Sequence, residues 1–300
     1  MINLIENNKA KIPNYLRSNS EFLNDYVCTI SPTFVPSLVR VIFKKWLGYR
    51  IAVIPDGIFE FSNVFYNPLS YIFFRNIFFL DFYDLILIYG DDEFEFIKIC
   101  GVAPSKVMKI PYLTKNSLKS SGAKLLITTA NSPYFNEEEL ILLIEIYRAI
   151  IKACDDLGVN VIYRFYDENF KKIIPPGGYN DIQSDFGSLI SDVGFIITTP
   201  STIVLDALAF DIPVGQVHIR TSPIFLQSGW NIFSSTNMLD LLRSMLRRES
   251  ERMAFQQFTL QKYQLKSQSV VGGDVGRGFR FSPKNFGLSK FIYIFKKLFF

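Results

Sequence analysis

Three hundred residues are enough for two α/β domains of about 100–150 residues each. Hydrophobic residues make up 49% of them, with 30 Phe, so a large core can form. The net charge of +4 is unevenly placed: from Arg243 to Phe300 there are 12 Lys and Arg against 3 Asp and Glu, or +9, which leaves −5 for the rest. A basic tail on a slightly acidic body points to an anionic surface as partner. Cys28, Cys100 and Cys154 lie far apart with no CxxC, which fits buried thiols in a reducing compartment better than a disulfide framework or a zinc site. The single histidine, His218, leaves no HExxH and no histidine cluster, so no metal is expected. It ends an apolar strand and reads as structural.

The first residues, MINLIENNKAK, are polar, with no signal-peptide core. A short helix is expected around Asn19 to Asn24, a strand at Tyr26 to Ile30, and an amphipathic helix at Val35 to Leu47. That helix mixes Arg40, Lys44 and Lys45 with Val, Phe and Trp46. Its basic face is either simply solvated or rests on lipid head groups. Arg50 to Ile54 is a strand ended by Pro55-Asp56-Gly57. Asp56 then sits where open α/β sheets place their ligands, with Glu60 four residues on. Asp-Gly is equally a common turn dipeptide. Leu69 to Tyr89 is the most apolar run, but Arg75, Asn76, Asp81 and Asp84 interrupt it, and a spanning helix needs about 20 mostly apolar residues. Asp84 to Tyr89 is a strand, Glu93 to Cys100 a helix stopped by Gly101, and Lys106 to Ile110 a strand.

The polar stretch Pro111 to Gly122 carries the domain boundary. It divides an N-terminal lobe, residues 1–117, from a C-terminal lobe, residues 118–270, with a basic aromatic tail at 271–300. The second half alternates cleanly. Lys124 to Thr128 is a strand, Thr129 to Pro133 a small polar turn with Asn131 and Ser132, and Glu137 to Leu157 a long helix with three acids in its first turn. Val159 to Arg164 is a strand, a Pro- and Gly-rich loop follows, and Phe186 to Asp192 is a short helix. Then comes the stretch IITTPSTIVLDALAFDIPVGQV: a strand, a break at Thr199-Pro200, a helix from Ser201-Thr202, and a further strand from Val214. Ser201 or Thr202 can cap that helix. The turn is either an ordinary N-cap or an anion site with two hydroxyls suited to a phosphate. Residues 237–265 are mostly helical, and Leu288 to Phe300 is too short to span a bilayer.

The order β-α-β-α-β in each half indicates parallel, Rossmann-like layers. Two such lobes facing a central cleft would set Asp56 and Glu60 on one side against Ser201, Thr202, Asn131 and Ser132 on the other. A base opposite a phosphate cradle suits sugar transfer from a nucleotide donor. No GxGxxG and no GxxxxGK[ST] occurs, which argues against dinucleotide and P-loop enzymes.

PSTIVLDALAFDIPV resembles the C-lobe signature of GT-B glycosyltransferases, in which Ser/Thr, an apolar-acidic-Ala helix and a Pro-Val turn recur. PDGIFEFSNVFYNP is similar to the Asp-Gly segment of bacterial surface-polysaccharide transferases related to the sialyl- and Kdo-transferases. DDEFEFIKICGVAPSKVMKIPY resembles their lobe-connecting segment. The resemblance covers residues 50–220 in patches and implies an α/β, GT-B-like fold with a reduced N-lobe. It also implies Asp56 as general base and a donor phosphate on Ser201-Thr202, with Thr199 and Asp206 on the same turn and helix. Where such enzymes carry His-Pro after the second C-lobe strand, this chain has Arg164-Phe165-Tyr166-Asp167. Either Arg164 supplies the positive charge, or the donor site is altered or dead.

The implied function is an inverting, metal-independent glycosyltransferase without a cofactor. Its donor would be a nucleotide sugar such as a CMP-linked acidic sugar, and its acceptor a surface polysaccharide or glycolipid. It is expected in the cytoplasm, with peripheral contact to the anionic inner membrane face and no nucleic-acid partner. The alternatives are a polyol-phosphate transferase or sugar-nucleotide epimerase on the same fold, whose sites usually rely on histidines, or a catalytically degenerate binding protein.

Overall fold

A computed structural model describes residues 3–4, 16, 21–30, 35–54, 57–58, 62, 83–99, 101–112, 122–130, 135–184, 186–220 and 224–264. The chain divides into two compact units. Unit 1 is Met1–Phe59, Pro68–Leu113 and Tyr263–Phe300; unit 2 is Glu60–Asn67 and Thr114–Lys262.

Unit 1 holds a parallel sheet of five strands in sequential order: β1 (Asn3–Leu4), β2 (Tyr26–Thr29), β3 (Arg50–Val53), β4 (Leu85–Ile88) and β5 (Val107–Lys109). Strands β2 and β4 are buried along their whole length and β3 beyond its half-buried Arg50, as expected where a parallel sheet is covered on both faces. Two helices connect them, α1 (Val35–Trp46) and α2 (Asp91–Ile99). Lys45 reaches back to Asp84 at 2.6 Å, and Asp84 also accepts from the Ile51 backbone N–H at 2.8 Å, so one carboxylate ties α1 to the start of β4 and to β3.

Unit 2 is built on a six-stranded parallel sheet: β6 (Lys124–Thr128), β7 (Val161–Arg164), β8 (Tyr179–Asn180), β9 (Val193–Thr198), β10 (Val214–Val217) and β11 (Trp230–Ile232). Its spatial order is β11-β10-β9-β6-β7-β8. The chain starts in the middle at β6, builds outward to β8, then returns to the other side of β6 and builds outward again to β11. The β6/β9 boundary is therefore a topological switch point.

Among the described residues this sheet is accompanied by the helices α3 (Glu137–Asp156), α4 (Glu168–Lys171), α5 (Phe186–Leu189), α6 (Ile203–Ala209), α7 (Met238–Leu246) and α8 (Ser250–Gln264). The long helix α3 is set by a capping box: the Asn136 side chain accepts from the Glu139 N–H at 2.8 Å, and Glu139 accepts from the Asn136 N–H at 3.0 Å. Its apolar face (Leu143, Ile146, Tyr147, Ile150, Cys154) packs into a core with β6, β7, β9, Trp230 and α7. At the amino end of the switch point the two strands approach very closely. A Cβ on Gly122 would lie 2.2 Å from the Asp192 carbonyl carbon, and one on Gly194 would lie 2.3 Å from the Gly122 oxygen.

The α/β class with parallel Rossmann-like layers agrees with the sequence expectation. The helix expected from Asn19 is a single 3-10 turn at Glu21–Leu23. Four short elements, β1, α4, β8 and β11, were not expected. The basic aromatic tail lies outside the described residues. No described helix is long and apolar enough to cross a membrane.

Candidate functional site

The carboxyl edge of unit 2 at the switch point is where three strand ends are stitched together. Thr128 of β6 donates its hydroxyl to the Arg164 carbonyl of β7 at 2.9 Å. The Thr199 hydroxyl, just past β9, accepts from the Ala130 backbone N–H just past β6 at 2.6 Å. Tyr147 of α3, wholly buried, donates to the Thr128 carbonyl at 2.7 Å from beneath. Burial pushes its phenol well above the ordinary range, so it acts here as a fixed donor. Tyr147, Phe165 and Phe170 meet in edge-on and tilted pairs 5.5–5.8 Å apart, a rigid floor under these ends.

Beyond Thr199 the chain turns through Pro200, Ser201 and Thr202 into α6. Ser201 and Thr202 are half-buried, whereas Thr199 is buried. The first turn of α6 is closed by backbone bonds from Val204 N–H to the Ser201 carbonyl and from Leu205 N–H to the Thr202 carbonyl. Thr202 occupies the N-cap position with helical dihedrals and makes no side-chain cap bond, so the expected hydroxyl cap does not form. Asp206 lies one turn into α6 and is half-buried. The helix ends with Asp211 in the left-handed region, φ 57°, held by Gln257 of α8 at 3.1 Å and by Arg248.

Arg164 is committed more locally than its expected role requires. One guanidinium nitrogen donates to the carbonyls of Asp181 and Ser184, at 3.0 and 2.9 Å, and the group lies over the Tyr166 ring. It fixes the loop after β8. His218, which follows β10, is buried, hydrogen-bonded to Asn231 at 3.0 Å and stacked on Phe233. Desolvation lowers its pKa, and the Asn231 contact only partly offsets this, so the ring stays neutral. The structural reading of His218 is the one its surroundings support. The Cys154 thiol is pushed up to about 12 by burial and is inert.

Four sequence-derived candidates, Asp56, Glu60, Asn131 and Ser132, lie outside the described residues. The structure brings Thr199, Ser201, Thr202 and Asp206 together on one turn and helix, and sets Arg164 at the end of β7, two strands from β9. Among the described residues no group of three or more His, Cys, Asp or Glu is placed to hold a metal ion.

Three features escaped the sequence reading. Arg220, three residues past β10 and buried, forms a two-pronged ion pair with Glu139, at 2.7 and 2.8 Å. It lies over the Phe135 ring and reaches Ser62 at 3.4 Å. Gln216 on β10 donates to the Leu226 carbonyl at 3.2 Å, while its buried side-chain oxygen has no hydrogen-bond partner. It pairs in register with Thr198, so an unsatisfied acceptor lies on the strand beside the turn. In unit 1, Glu93 of α2 is buried with one oxygen bonded to Tyr263 at 3.0 Å and the other unpartnered. A Cβ on Gly90 would lie 1.6 Å from that second oxygen. Burial raises the Glu93 pKa to about 7; its own backbone N–H and Tyr263 pull the other way. Only Glu139 gave a signal, as an acid in a helix first turn.

No family model matches the sequence, and no curated protein does. Solved structures do resemble it. The UDP-GlcNAc 2-epimerase of Neisseria meningitidis, bound to UDP-GlcNAc, superposes with a TM-score of 0.56 at 11% identity, over 84% of this chain and 76% of that one. The Methanocaldococcus jannaschii UDP-GlcNAc 2-epimerase, in complex with UDP-GlcNAc and UDP, gives 0.55 at 12% identity, over 81% and 75%. The glycosyltransferase SnogD of Streptomyces nogalater gives 0.49 at 14% identity, over 83% and 70%. At these identities the likeness establishes the fold: α/β of the GT-B type, with two Rossmann-like lobes.

Proposed function

We propose that unit 2 binds a nucleotide-sugar donor at the β6/β9 switch point, and that the protein is an inverting glycosyltransferase with a glycan or glycolipid acceptor of the bacterial surface-polysaccharide kind. The observation that carries this reading is the Thr198–Thr202 turn. It stands at the carboxyl edge where the sheet reverses its winding, and it sets two half-buried hydroxyl residues, Ser201 and Thr202, at the start of α6. In this reading Ser201 and Thr202 hold the donor phosphate. Asp56 takes the proton of the acceptor hydroxyl as its oxygen attacks the anomeric carbon. The bond from that carbon to the phosphate oxygen breaks, the anomeric configuration inverts, and the nucleotide leaves with the electron pair, its growing charge met by the turn. Glu60 assists on the acceptor side.

A panel of CMP, CDP and UDP tested by calorimetry names the nucleotide. Ser201→Ala/Thr202→Ala is expected to weaken binding of the preferred one by at least tenfold, the loss of two hydrogen bonds to a charged group. Unchanged binding in that variant overturns the assignment of the turn. Asp56→Asn is expected to abolish transfer while leaving nucleotide affinity intact.

A second reading, epimerisation of a nucleotide sugar, is favoured by one observation: the two UDP-GlcNAc 2-epimerases described above superpose with TM-scores of 0.55 and 0.56. Inversion at C2 breaks the C2–H bond, so incubation with UDP-GlcNAc in heavy water would place deuterium at C2. A transferase leaves that hydrogen in place. The burial of His218 favours transfer, because the chain's one imidazole is occupied by Asn231.

A further inference from the structure

We propose that the outward face of α1 in unit 1 docks on an anionic lipid surface. Val39, Phe43, Trp46 and Leu47 stand at i, i+4, i+7 and i+8, one stripe of a helix, and that spacing ordinarily faces a core. Here the stripe faces outward: Val39 is 56% exposed, Phe43 54% and Trp46 52%. The opposite side of the helix supplies Val41, fully buried. Phe43 and Trp46 rings lie 5.9 Å apart, and Tyr49 extends the stripe past the helix end. A continuous apolar strip of this kind on the surface of a folded unit marks a contact site.

The charges choose the partner. From Tyr26 to Pro55 the sequence has no Asp or Glu. Lys45 is held by Asp84 at 2.6 Å, and Arg50 lies over Tyr26, so those two cations serve the fold. Arg40, exposed, and Lys44, which lies over the Tyr49 ring at 4.7 Å, flank the stripe. Apolar and aromatic residues edged by cations, with Trp and Tyr among them, suit the boundary between acyl chains and anionic head groups. A second copy of the chain would bring Arg40 and Lys44 against their own like charges. Residues 265–300 carry seven cations and one carboxylate, so they too would meet the face with like charge.

The experiment is vesicle flotation of the full chain, with phosphatidylcholine alone and with phosphatidylcholine–phosphatidylglycerol mixtures. Binding is expected to the mixtures only, and to weaken as salt is added. The chain has two tryptophans; Trp230 is fully buried, so a blue shift and quenching by brominated lipid report Trp46. Arg40→Gln/Lys44→Gln is expected to weaken binding about 25-fold, from about fivefold per cation at the surface. Phe43→Ser/Trp46→Ser is expected to abolish it, with the melting temperature of that variant unchanged because both side chains are exposed. Failure to float with either vesicle overturns the proposal. So does binding that survives both variants and disappears on deletion of residues 286–300, or a chain that self-associates through this face and becomes monomeric in Phe43→Ser. The face belongs to unit 1, so a failure here leaves the donor site of unit 2 untouched.

Discussion

Glu93 shows how a single buried carboxyl makes stability depend on pH. Its folded pKa, about 7, lies above the ordinary 4.5 because burial disfavours the charge. Between those values the folded chain keeps a proton that the unfolded chain has released. This contribution to stability is therefore fully present below pH 4.5 and is lost as pH rises through about 7. Glu93→Gln, neutral at every pH, is expected to remove this slope and to raise stability at pH 8 by about 3 kcal/mol; denaturant melts at pH 5 and 8 measure both effects. The Arg220–Glu139 pair obeys a different rule. Glu139→Ala removes one half of a capping box and strands a buried guanidinium, at an expected cost of about 3–5 kcal/mol in a urea melt. Neither residue announced itself in the sequence. Glu93 is one of three consecutive acids at a helix start, and Arg220 is followed by Thr-Ser-Pro; what distinguishes both is burial, set by distant chain.

At the scale of elements, apolar runs bounded by Gly, Pro and polar clusters foretold β2 to β7, acids in a first turn foretold α3, and the stop at Gly101 foretold the end of α2. Burial on both faces and the helix dipole act within a few residues, so the signal is local. The misses are also physical. The strands β8 and β11 are two and three residues long and exist because a neighbouring strand accepts their backbone, which no periodicity records. Gln256 of α8 supplies another such support. Fully buried, it donates to the Ile212 carbonyl at 3.0 Å and accepts from the N–H groups of Val214 and Gly229 at 2.8 and 3.2 Å. Gln256→Leu keeps the volume but leaves three backbone groups at β10 and before β11 unpaired. It is expected to destabilise unit 2 by about 3 kcal/mol or more, with early amide exchange at Val214.

For the whole molecule, the two-unit α/β architecture was legible from the alternation of patterns, but the strand order was not. Nothing in the local sequence of β9 says that it returns to the far side of β6, yet that return creates the candidate site. The Thr199–Thr202 turn was legible from Ser201-Thr202, while the buried Gln216 on the neighbouring strand and the Arg220–Glu139 pair were not. Ligand linkage offers a test at this scale. Trp230 lies in the unit 2 core and Trp46 in unit 1, so single-tryptophan variants follow each unit separately. A nucleotide at 100 times its Kd is expected to stabilise the Trp230 transition by about 2.7 kcal/mol. The same shift appearing on Trp46 alone would move the site to unit 1.

Gly122 and Gly194 give the switch point a closed root. Their backbones nearly touch at the amino ends of β6 and β9, while the same two strands end in hydroxyl-bearing turns. The pair works like the spine of a book, which lets the outer edges of the pages be rewritten without unbinding it. In a randomised library, positions 122 and 194 should come back as glycine whatever is selected. Diversity should gather at the carboxyl edge outside 201 and 202, whose hydroxyls the proposed phosphate contact would keep.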